Sequence, residues 1–193
     1  MSYIPKILAF AGSTRKESFN KKLVKIAADA ARSAGAQVTY LDLRDIPMPL
    51  YDGDLETEQG IPENGKKFKA MLLAHDGLLI SAPEYNSSIS GVLKNAIDWA
   101  SRPVSGEAPL ACFAGKVVTL MSASPGALGG LRSLVTVRSL LSNIRVIVLP
   151  DQVAVPKAHE AFGPDGKLKD PKQQASIEAL GRDLVGVLAK LKG

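Results

Sequence analysis

Short apolar segments alternate with longer amphipathic ones along most of the chain, and this alternation restricts the fold more than any other feature of the sequence. Five short segments rich in β-branched and aliphatic residues predict strands: Lys6–Ala11, Val38–Leu43, Gly77–Ser81, Lys116–Ser122 and Ile144–Leu149. Helical periodicity predicts helices over Lys21–Ala34, Lys66–Ala74, Gly91–Ser101, Gly129–Asn143 and about Asp170–Leu191. Because parallel neighbours need long crossovers, this order predicts a parallel sheet with helices on both faces.

The predicted architecture is an α/β three-layer sandwich made by a single domain, residues 1–193. A chain of 193 residues with 46% hydrophobic content can bury one sizeable core. Periodicity does not give the strand order, but a five-stranded flavodoxin-like order, 2-1-3-4-5, places the topological switch point between strands 1 and 3. The prolines and glycine of residues 46–54 predict irregular backbone there.

Two polar loops follow strands 1 and 3 and lead into helices, so both are expected at the ligand-binding edge of the sheet. The first loop combines hydroxyls, an amide, an arginine and a helix start, a set that suits a phosphate monoester: Ser13, Thr14, Arg15, Ser18 and Asn20. Taken alone, it is more simply explained as a capped helix start with a surface arginine. It lacks the P-loop ending and the dinucleotide fingerprint, which disfavours a nucleoside triphosphatase or a Rossmann dehydrogenase.

The second loop and the helix after it carry a family resemblance. Residues 83–99 read Pro-Glu-Tyr-Asn-Ser-Ser-Ile-Ser-Gly-Val-Leu-Lys-Asn-Ala-Ile-Asp-Trp, which resembles the signature of the NADPH-dependent FMN reductase family. The pattern Gly-Ser-x-Arg-x-x-Ser-x-Asn at residues 12–20 makes the match specific, and the likeness continues through Pro49–Asp52 and Ser124–Gly130. The resemblance implies a flavodoxin-like fold, tightly bound FMN, and reduction of flavins, quinones, azo compounds or chromate by NAD(P)H.

The resemblance also implies roles for individual residues. The phosphate of FMN would be held by Ser13, Arg15, Ser18 and Asn20, and the flavin ring would be lined by Pro83, Glu84, Tyr85 and Asn86. Weaker candidates for the edge of the cofactor are Ser88, Ala123 and Ser124. Since the cofactor carries the chemistry, no residue is predicted to be catalytic, and Tyr85 is expected to line the reaction pocket. Structural roles stay open for two of them, an ordinary half-buried aromatic for Tyr85 and a cap or interface ion pair for Glu84.

The functional hypothesis is an oxidoreductase that works by ping-pong exchange. NADPH or NADH delivers hydride to the flavin and leaves, and a small-molecule acceptor then occupies the same place. The alternative is a flavodoxin-type electron carrier without turnover of its own; such carriers are strongly acidic, whereas this chain has a net charge of +5. A third possibility, an interaction module that lost its flavin, is disfavoured by the intact phosphate loop.

Other function classes lack the residues they need. The basic residues are scattered among acids, so nucleic acid is not an expected partner. The longest apolar runs are far below the roughly 18 residues of a membrane span. No metal-site spacing occurs, and no metal is expected. Cys112 is the sole cysteine and is expected to be a small core filler, while His75 and His159 are expected to serve structure or solvent. A cytoplasmic location is expected.

The resemblance also implies an assembly, either a homodimer or a homotetramer. The loop Arg102–Ala114 is expected to lie near a subunit interface, together with Tyr51 and its proline-rich neighbourhood. The apolar residues of this loop are Pro103, Pro109, Leu110 and Phe113. Ile97 and Trp99 are expected to be packing residues. The sequence leaves open the physiological acceptor, the choice between NADPH and NADH, and the role of the loop at residues 150–170.

Overall fold

A five-stranded parallel sheet forms the middle layer of the computed structural model, which describes residues 3–192. The strands are β1 Lys6–Ala11, β2 Gln37–Asp42, β3 Gly77–Ser81, β4 Glu84–Tyr85, β5 Ser88–Ile89, β6 Val117–Ala123 and β7 Ile147–Val155. The sheet order is β2-β1-β3-β6-β7, and β4 and β5 pair separately as an antiparallel hairpin. Counted along the main sheet this is the order 2-1-3-4-5, so the predicted flavodoxin-like topology is confirmed.

Helices cover both faces of the sheet. They are α1 Phe19–Ser33, α2 Gly53–Gln59, α3 Glu63–Leu73, α4 Gly91–Ser101, α5 Leu131–Asn143, α6 Ala158–Ala161 and α7 Pro171–Lys192. Buried side chains of α1 and α7 form one core with the sheet, and those of α3, α4 and α5 form a second core on the opposite face. Within residues 3–192 no helix is both long and apolar enough to cross a bilayer.

The central strands are buried on both sides, which explains why they read as continuous apolar runs. In β1, Ile7 and Ala9 pack into the core under α1 and α7, whereas Leu8 and Phe10 pack into the other core. Successive side chains of a strand point to opposite faces, so one run of apolar residues serves two cores.

The stretch predicted to be irregular contains the start of a helix. Residues 46–52 have no helix or strand, as expected, but α2 begins at Gly53. The reason is the side chain of Asp52, which accepts a hydrogen bond from the backbone N–H of Asp54 at 2.8 Å and so caps the helix. A short polar cap outweighs the poor helix propensity of one glycine.

The last strand was predicted to end at Leu149, but it starts at Ile147 and extends to Val155. Pro150 lies inside it without breaking the sheet because β7 is an edge strand, with pairing required on one side. The register with β6 shifts between Val118 and Leu120, so β7 bulges around the proline. Part of the loop at residues 150–170 is therefore strand, and α6 occupies another part of it.

Two glycines of α7 provide a matched test of the packing between α7 and α1. A Cβ at Gly181 would lie 2.1 Å from the carbonyl oxygen of Ala27, whereas a Cβ at Gly186 would meet nothing within 4 Å. We expect Gly181→Ala to lower the free energy of unfolding by about 1–3 kcal/mol, because a backbone atom of α1 must move. Gly186→Ala, the control, should raise it by about 0.5–1 kcal/mol through helix propensity.

Urea denaturation followed by circular dichroism measures both variants. Equal effects of the two substitutions would contradict the close approach of the helices at Gly181.

Candidate functional site

The loops after β1, β3 and β6 are joined at the carboxyl edge of the sheet by short hydrogen bonds. The Gly12 N–H donates to the carbonyl oxygen of Ser81 at 2.9 Å, and the Ser90 hydroxyl donates to the carbonyl oxygen of Gly12 at 2.6 Å. The Ser122 hydroxyl donates to the carbonyl oxygen of Ala82 at 2.7 Å. These bonds fix the two predicted loops relative to each other, as the switch-point position of β1 and β3 required.

Asn20 connects the start of α1 to two strand ends. Its Oδ1 accepts from the Ser81 hydroxyl at 2.8 Å and from the Ala123 N–H at 3.0 Å, while its Nδ2 donates to the carbonyl oxygen of Ala123 at 2.8 Å. The residue is 4% exposed. Most of its hydrogen-bonding capacity is thus used inside the protein, which leaves one N–H of Nδ2 for a ligand.

A cavity of about 200 Å³ opens beside Asn20. It is lined by Ser13, Arg15, Ser18, Phe19, Asn20, Pro83, Glu84, Tyr85, Ala123, Ser124 and Pro125. Every predicted cofactor-binding residue except Asn86 and Ser88 therefore lies on this one cavity. Phe19 and Pro125 are lining residues that the sequence prediction omitted, although each adjoins a predicted position along the chain.

The wall formed by the first loop presents groups suited to an anion. Ser18 occupies the N-cap position of α1 with extended backbone (φ −86°, ψ 125°), yet its side chain makes no capping hydrogen bond within residues 3–192. The first N–H groups of a helix have no intrahelical partner and carry a partial positive charge. The Ser13 hydroxyl accepts from the Arg15 N–H at 3.2 Å and still has a proton to donate, and the Arg15 side chain is exposed at the rim.

Glu84 contributes no free charge to the cavity. Its Oε1 accepts from Arg132 Nε at 2.8 Å, and its Oε2 accepts from the Arg132 N–H at 3.0 Å. Because the N-cap residue of α5, Gly130, has no side chain, Glu84 caps this helix from another loop. This arrangement agrees with the structural role left open for Glu84. The positive charge of Arg132 also balances the carboxylate, which would otherwise repel an anion in the cavity.

The β4–β5 hairpin holds the rest of the second motif. Asn86 and Ser87 form its two-residue turn with φ values of 51° and 66°, the left-handed conformation of a type I′ turn. Tyr85, next to the turn, is 51% exposed. Asn86 and Ser88 belong to the hairpin but do not line the cavity, whereas their neighbour Tyr85 does.

The segment predicted to form an interface is anchored to its own subunit. Lys69, buried in α3, donates from Nζ to the carbonyl oxygen of Arg102 at 2.7 Å and forms an ion pair with Glu107 at 2.9 Å. Phe113, named among the apolar interface residues, is 2% exposed and belongs to the core. That part of the prediction is wrong, because the segment turns inward and places Phe113 under the sheet.

Cys112, His75 and His159 do not line the cavity. Cys112 is fully buried, and burial raises the pKa of its thiol. His75 follows α3, where its ring nitrogens contact the Met71 carbonyl oxygen and the Thr39 hydroxyl. The expectation that Cys112 fills the core and His75 serves structure is confirmed. Trp99 is likewise buried, with Nε1 donating to the Pro49 carbonyl oxygen at 2.8 Å.

Comparison with known proteins gives the family. Residues 5–160 match the family described as NADPH-dependent FMN reductase. The chain belongs to this family. It is similar to a probable NADPH:quinone oxidoreductase of Oryza sativa, with 32% identity over 97% of this chain and 91% of the relative. An NAD(P)H-dependent FMN reductase of Pseudomonas aeruginosa is 34% identical, with 97% of each chain covered.

A solved structure extends the likeness to three dimensions. The flavoenzyme NAD(P)H:(acceptor) oxidoreductase FerB of Paracoccus denitrificans superposes with a TM-score of 0.80 at 27% identity, over 97% of this chain and 98% of FerB. The predictions of family, flavodoxin-like fold, NAD(P)H-dependent oxidoreductase class and FMN as cofactor are confirmed.

The cavity fits the cofactor of the NADPH-dependent FMN reductase family. Its donors are hydroxyls, a guanidinium and the open N-terminus of α1, which together match the terminal phosphate of FMN. The carboxylate of Glu84 is compensated by Arg132. The fit rests on the chemistry of these groups, and the role of each residue is taken up as a proposal below.

Two substitutions distinguish a residue that holds the loops together, Asn20, from one that is free to contact a ligand, Ser18. We expect Asn20→Ala to lower the free energy of unfolding of the flavin-free protein by about 2–4 kcal/mol, because the buried N–H and carbonyl of Ala123 both lose a partner. Ser18→Ala, the control in the same loop, should cost less than about 1 kcal/mol, since its hydroxyl caps nothing in the structure. Guanidinium denaturation measures both. If Asn20→Ala lowers the free energy of unfolding by no more than Ser18→Ala does, Asn20 does not hold the three loops together.

Proposed function

We propose that this protein transfers electrons from NAD(P)H to quinones and flavins, with the phosphate end of FMN held in the 200 Å³ cavity between the loops after β1, β3 and β6 and the ring extending along the Tyr85 hairpin. The observation that carries the proposal is the uncapped N-terminus of α1, which opens into the same cavity as the exposed Tyr85 hairpin. The named activities of the rice and Pseudomonas relatives support a quinone or flavin as acceptor.

At one end of the cavity, the first loop would hold the phosphate. Ser18 and Ser13 would donate from their hydroxyls, Arg15 would contribute its guanidinium, and the N–H groups at the start of α1 would complete the set. Asn20 would offer its remaining N–H, although its main contribution is to position α1. These groups act by binding and orientation, and none of them exchanges a proton.

At the other end, the hairpin and the loop after β6 would line the flavin ring. Bound FMN supplies two-electron chemistry, accepting hydride from NAD(P)H and passing electrons to the acceptor. The chain would contribute the backbone N–H groups of Glu84, Tyr85 and Asn86, the apolar ring of Pro83, and the loop at Ala123 and Ser124. The side chain of Tyr85 would contact donor and acceptor. Ser88 would support the hairpin from β5 without contacting the ring.

The assembly and location predicted from the sequence stay part of the proposal. A homodimer or homotetramer is supported by exposed apolar side chains near the predicted interface: Leu50 is 79% exposed and Val104 is 40% exposed. The ring of Tyr51 packs edge-on against Trp99 at 5.0 Å and lies beneath the guanidinium of Arg102, so both predicted regions form one surface. A cytoplasmic location is retained with this proposal.

The visible spectrum of the purified protein tests the function. We expect a yellow protein whose released cofactor has the mass of FMN, and anaerobic NADPH or NADH should bleach it within seconds. Added benzoquinone should restore the colour, because the quinone reoxidises the reduced flavin. FAD as the dominant cofactor, or a protein that does not take up added FMN, would contradict the proposal. A yellow protein bleached by neither donor would favour an electron carrier.

Substitutions at the two ends of the cavity should have different signatures. Arg15→Ala and Ser18→Ala each remove a charge-assisted hydrogen bond worth roughly 1.5–3 kcal/mol, so FMN affinity should fall about tenfold to a hundredfold. Saturating FMN should then restore turnover. Tyr85→Ala leaves the phosphate groups intact, and we expect its kinetic constants to stay altered at saturating FMN. Fluorescence titration of FMN and steady-state kinetics distinguish the two classes.

Normal FMN affinity in both Arg15→Ala and Ser18→Ala would show that the first loop does not bind the phosphate and serves only as the start of α1. Complete rescue of Tyr85→Ala by excess FMN would remove Tyr85 from the reaction pocket.

A further inference from the structure

A second cavity, of about 320 Å³, lies at the carboxyl end of β2, outside the proposed flavin site. Its lining residues are Thr14, Leu43, Arg44, Ile46, Pro47, Met48, Val92 and Asn95. Pro47 is exposed and Met48 and Val92 are half-buried, and they give the cavity an accessible apolar wall over the buried Leu43 and Ile46. The exposed side chain of Arg44 is at its rim and takes part in no ion pair within residues 3–192. An apolar wall with one free guanidinium suits a flat ring that carries an anionic group.

A third cavity, of about 250 Å³, connects this one to the flavin site. It shares Ser13, Arg15 and Tyr85 with the flavin cavity, and it shares Thr14 and Val92 with the Arg44 cavity. The start of α4 lines it at Gly91 and Val92, and a Cβ at Gly91 would meet nothing within 4 Å. A continuous groove therefore runs from Tyr85 to Arg44, with a helix start along its middle that favours phosphate oxygens.

The charges around Arg44 leave its guanidinium available. Asp42, two residues before it, accepts a hydrogen bond from Lys21 Nζ at 2.6 Å, so its charge is balanced. The other oxygen of Asp42 accepts from the Arg44 backbone N–H at 3.0 Å, which fixes the backbone without engaging the side chain. Asp45 is exposed, so water and salt screen its repulsion of an anion.

We infer that Arg44 recognises the 2′-phosphate of NADPH and sets the choice between NADPH and NADH. This inference rests on the proposed function, because it places the nicotinamide at Tyr85 on the bound flavin. The pyrophosphate then follows the groove past the start of α4, and the adenine packs on the apolar wall at Pro47 and Met48. A guanidinium binds a phosphate monoester bidentately, whereas the 2′-hydroxyl of NADH offers no charge to it.

Two measurements on the FMN-loaded protein test the role of Arg44. In the first, calorimetry compares adenosine 2′,5′-bisphosphate (2′,5′-ADP) with 5′-AMP, which differ by the 2′-phosphate alone. We expect the wild-type protein to bind 2′,5′-ADP at least tenfold more tightly, Arg44→Ala to abolish that difference, and Arg44→Lys to retain part of it. In the second, stopped-flow reduction gives the ratio of flavin reduction by NADPH to that by NADH, which should fall about tenfold to a hundredfold in Arg44→Ala.

Arg182→Ala is the matched control, since Arg182 lies on the exposed side of α7 and pairs there with Glu178. It should leave both the discrimination between 2′,5′-ADP and 5′-AMP and the donor ratio unchanged. If wild-type protein does not distinguish 2′,5′-ADP from 5′-AMP, or if Arg44→Ala retains the distinction, the inference is wrong. Equal loss with both donors in Arg44→Ala would also overturn it, because it would mark Arg44 as structural.

The two proposals fail in different ways. Failure of the FMN-loaded protein to be reduced by either donor would overturn the proposed function, while calorimetry with 2′,5′-ADP and 5′-AMP would still report on the Arg44 cavity. Normal flavin reduction without any effect of Arg44 on donor preference would overturn this inference alone.

Discussion

The geometry of the candidate site depends on the side-chain amide of Asn20. Three hydrogen bonds from this one group hold the start of α1 against the ends of β3 and β6, in a place where water is excluded. Without them, the N–H groups at the start of α1 would have no fixed relation to the other two loops. The cavity suits an anion because the uncapped start of α1 is held next to it. The favourable effect of the helix dipole falls off within the first turn, so the position of that turn must be fixed.

The same edge of the sheet keeps negative charge out of the cavity. A carboxylate beside a phosphate site would weaken binding, yet Glu84 lies on the cavity wall. The guanidinium of Arg132 balances the charge of the Glu84 carboxylate. The same carboxylate caps α5, which Gly130 cannot do because it has no side chain. Gly130 itself is required by packing, because its φ is 93° and a Cβ there would lie 1.9 Å from the Ser122 hydroxyl oxygen. The Glu84 side chain thus compensates for a glycine that the close contact demands.

The flavin site and the proposed donor groove use different physical means. In the proposed site, the phosphate end would rely on backbone N–H groups held by a rigid helix, which favour any terminal phosphate. The groove toward β2 relies on one exposed guanidinium at an apolar wall, and such a contact discriminates between ligands that differ by a single charge. Under these two proposals, retention of the cofactor and the choice of the electron donor would depend on different residues.

The sequence determined the layer architecture, the family and most of the cavity wall. Alternating apolar and amphipathic segments dictated a parallel sheet, and because such strands end on one edge, two motifs some 70 residues apart along the chain were expected to meet. Other features depended on contacts between distant residues. Pro150 is tolerated because β7 is an edge strand, Phe113 is core because its loop turns inward over Lys69, and Asn20 is framework because Ser81 and Ala123 reach it. Local sequence sets which backbone conformations are favourable, but which partner satisfies a buried polar group is decided by the tertiary structure alone.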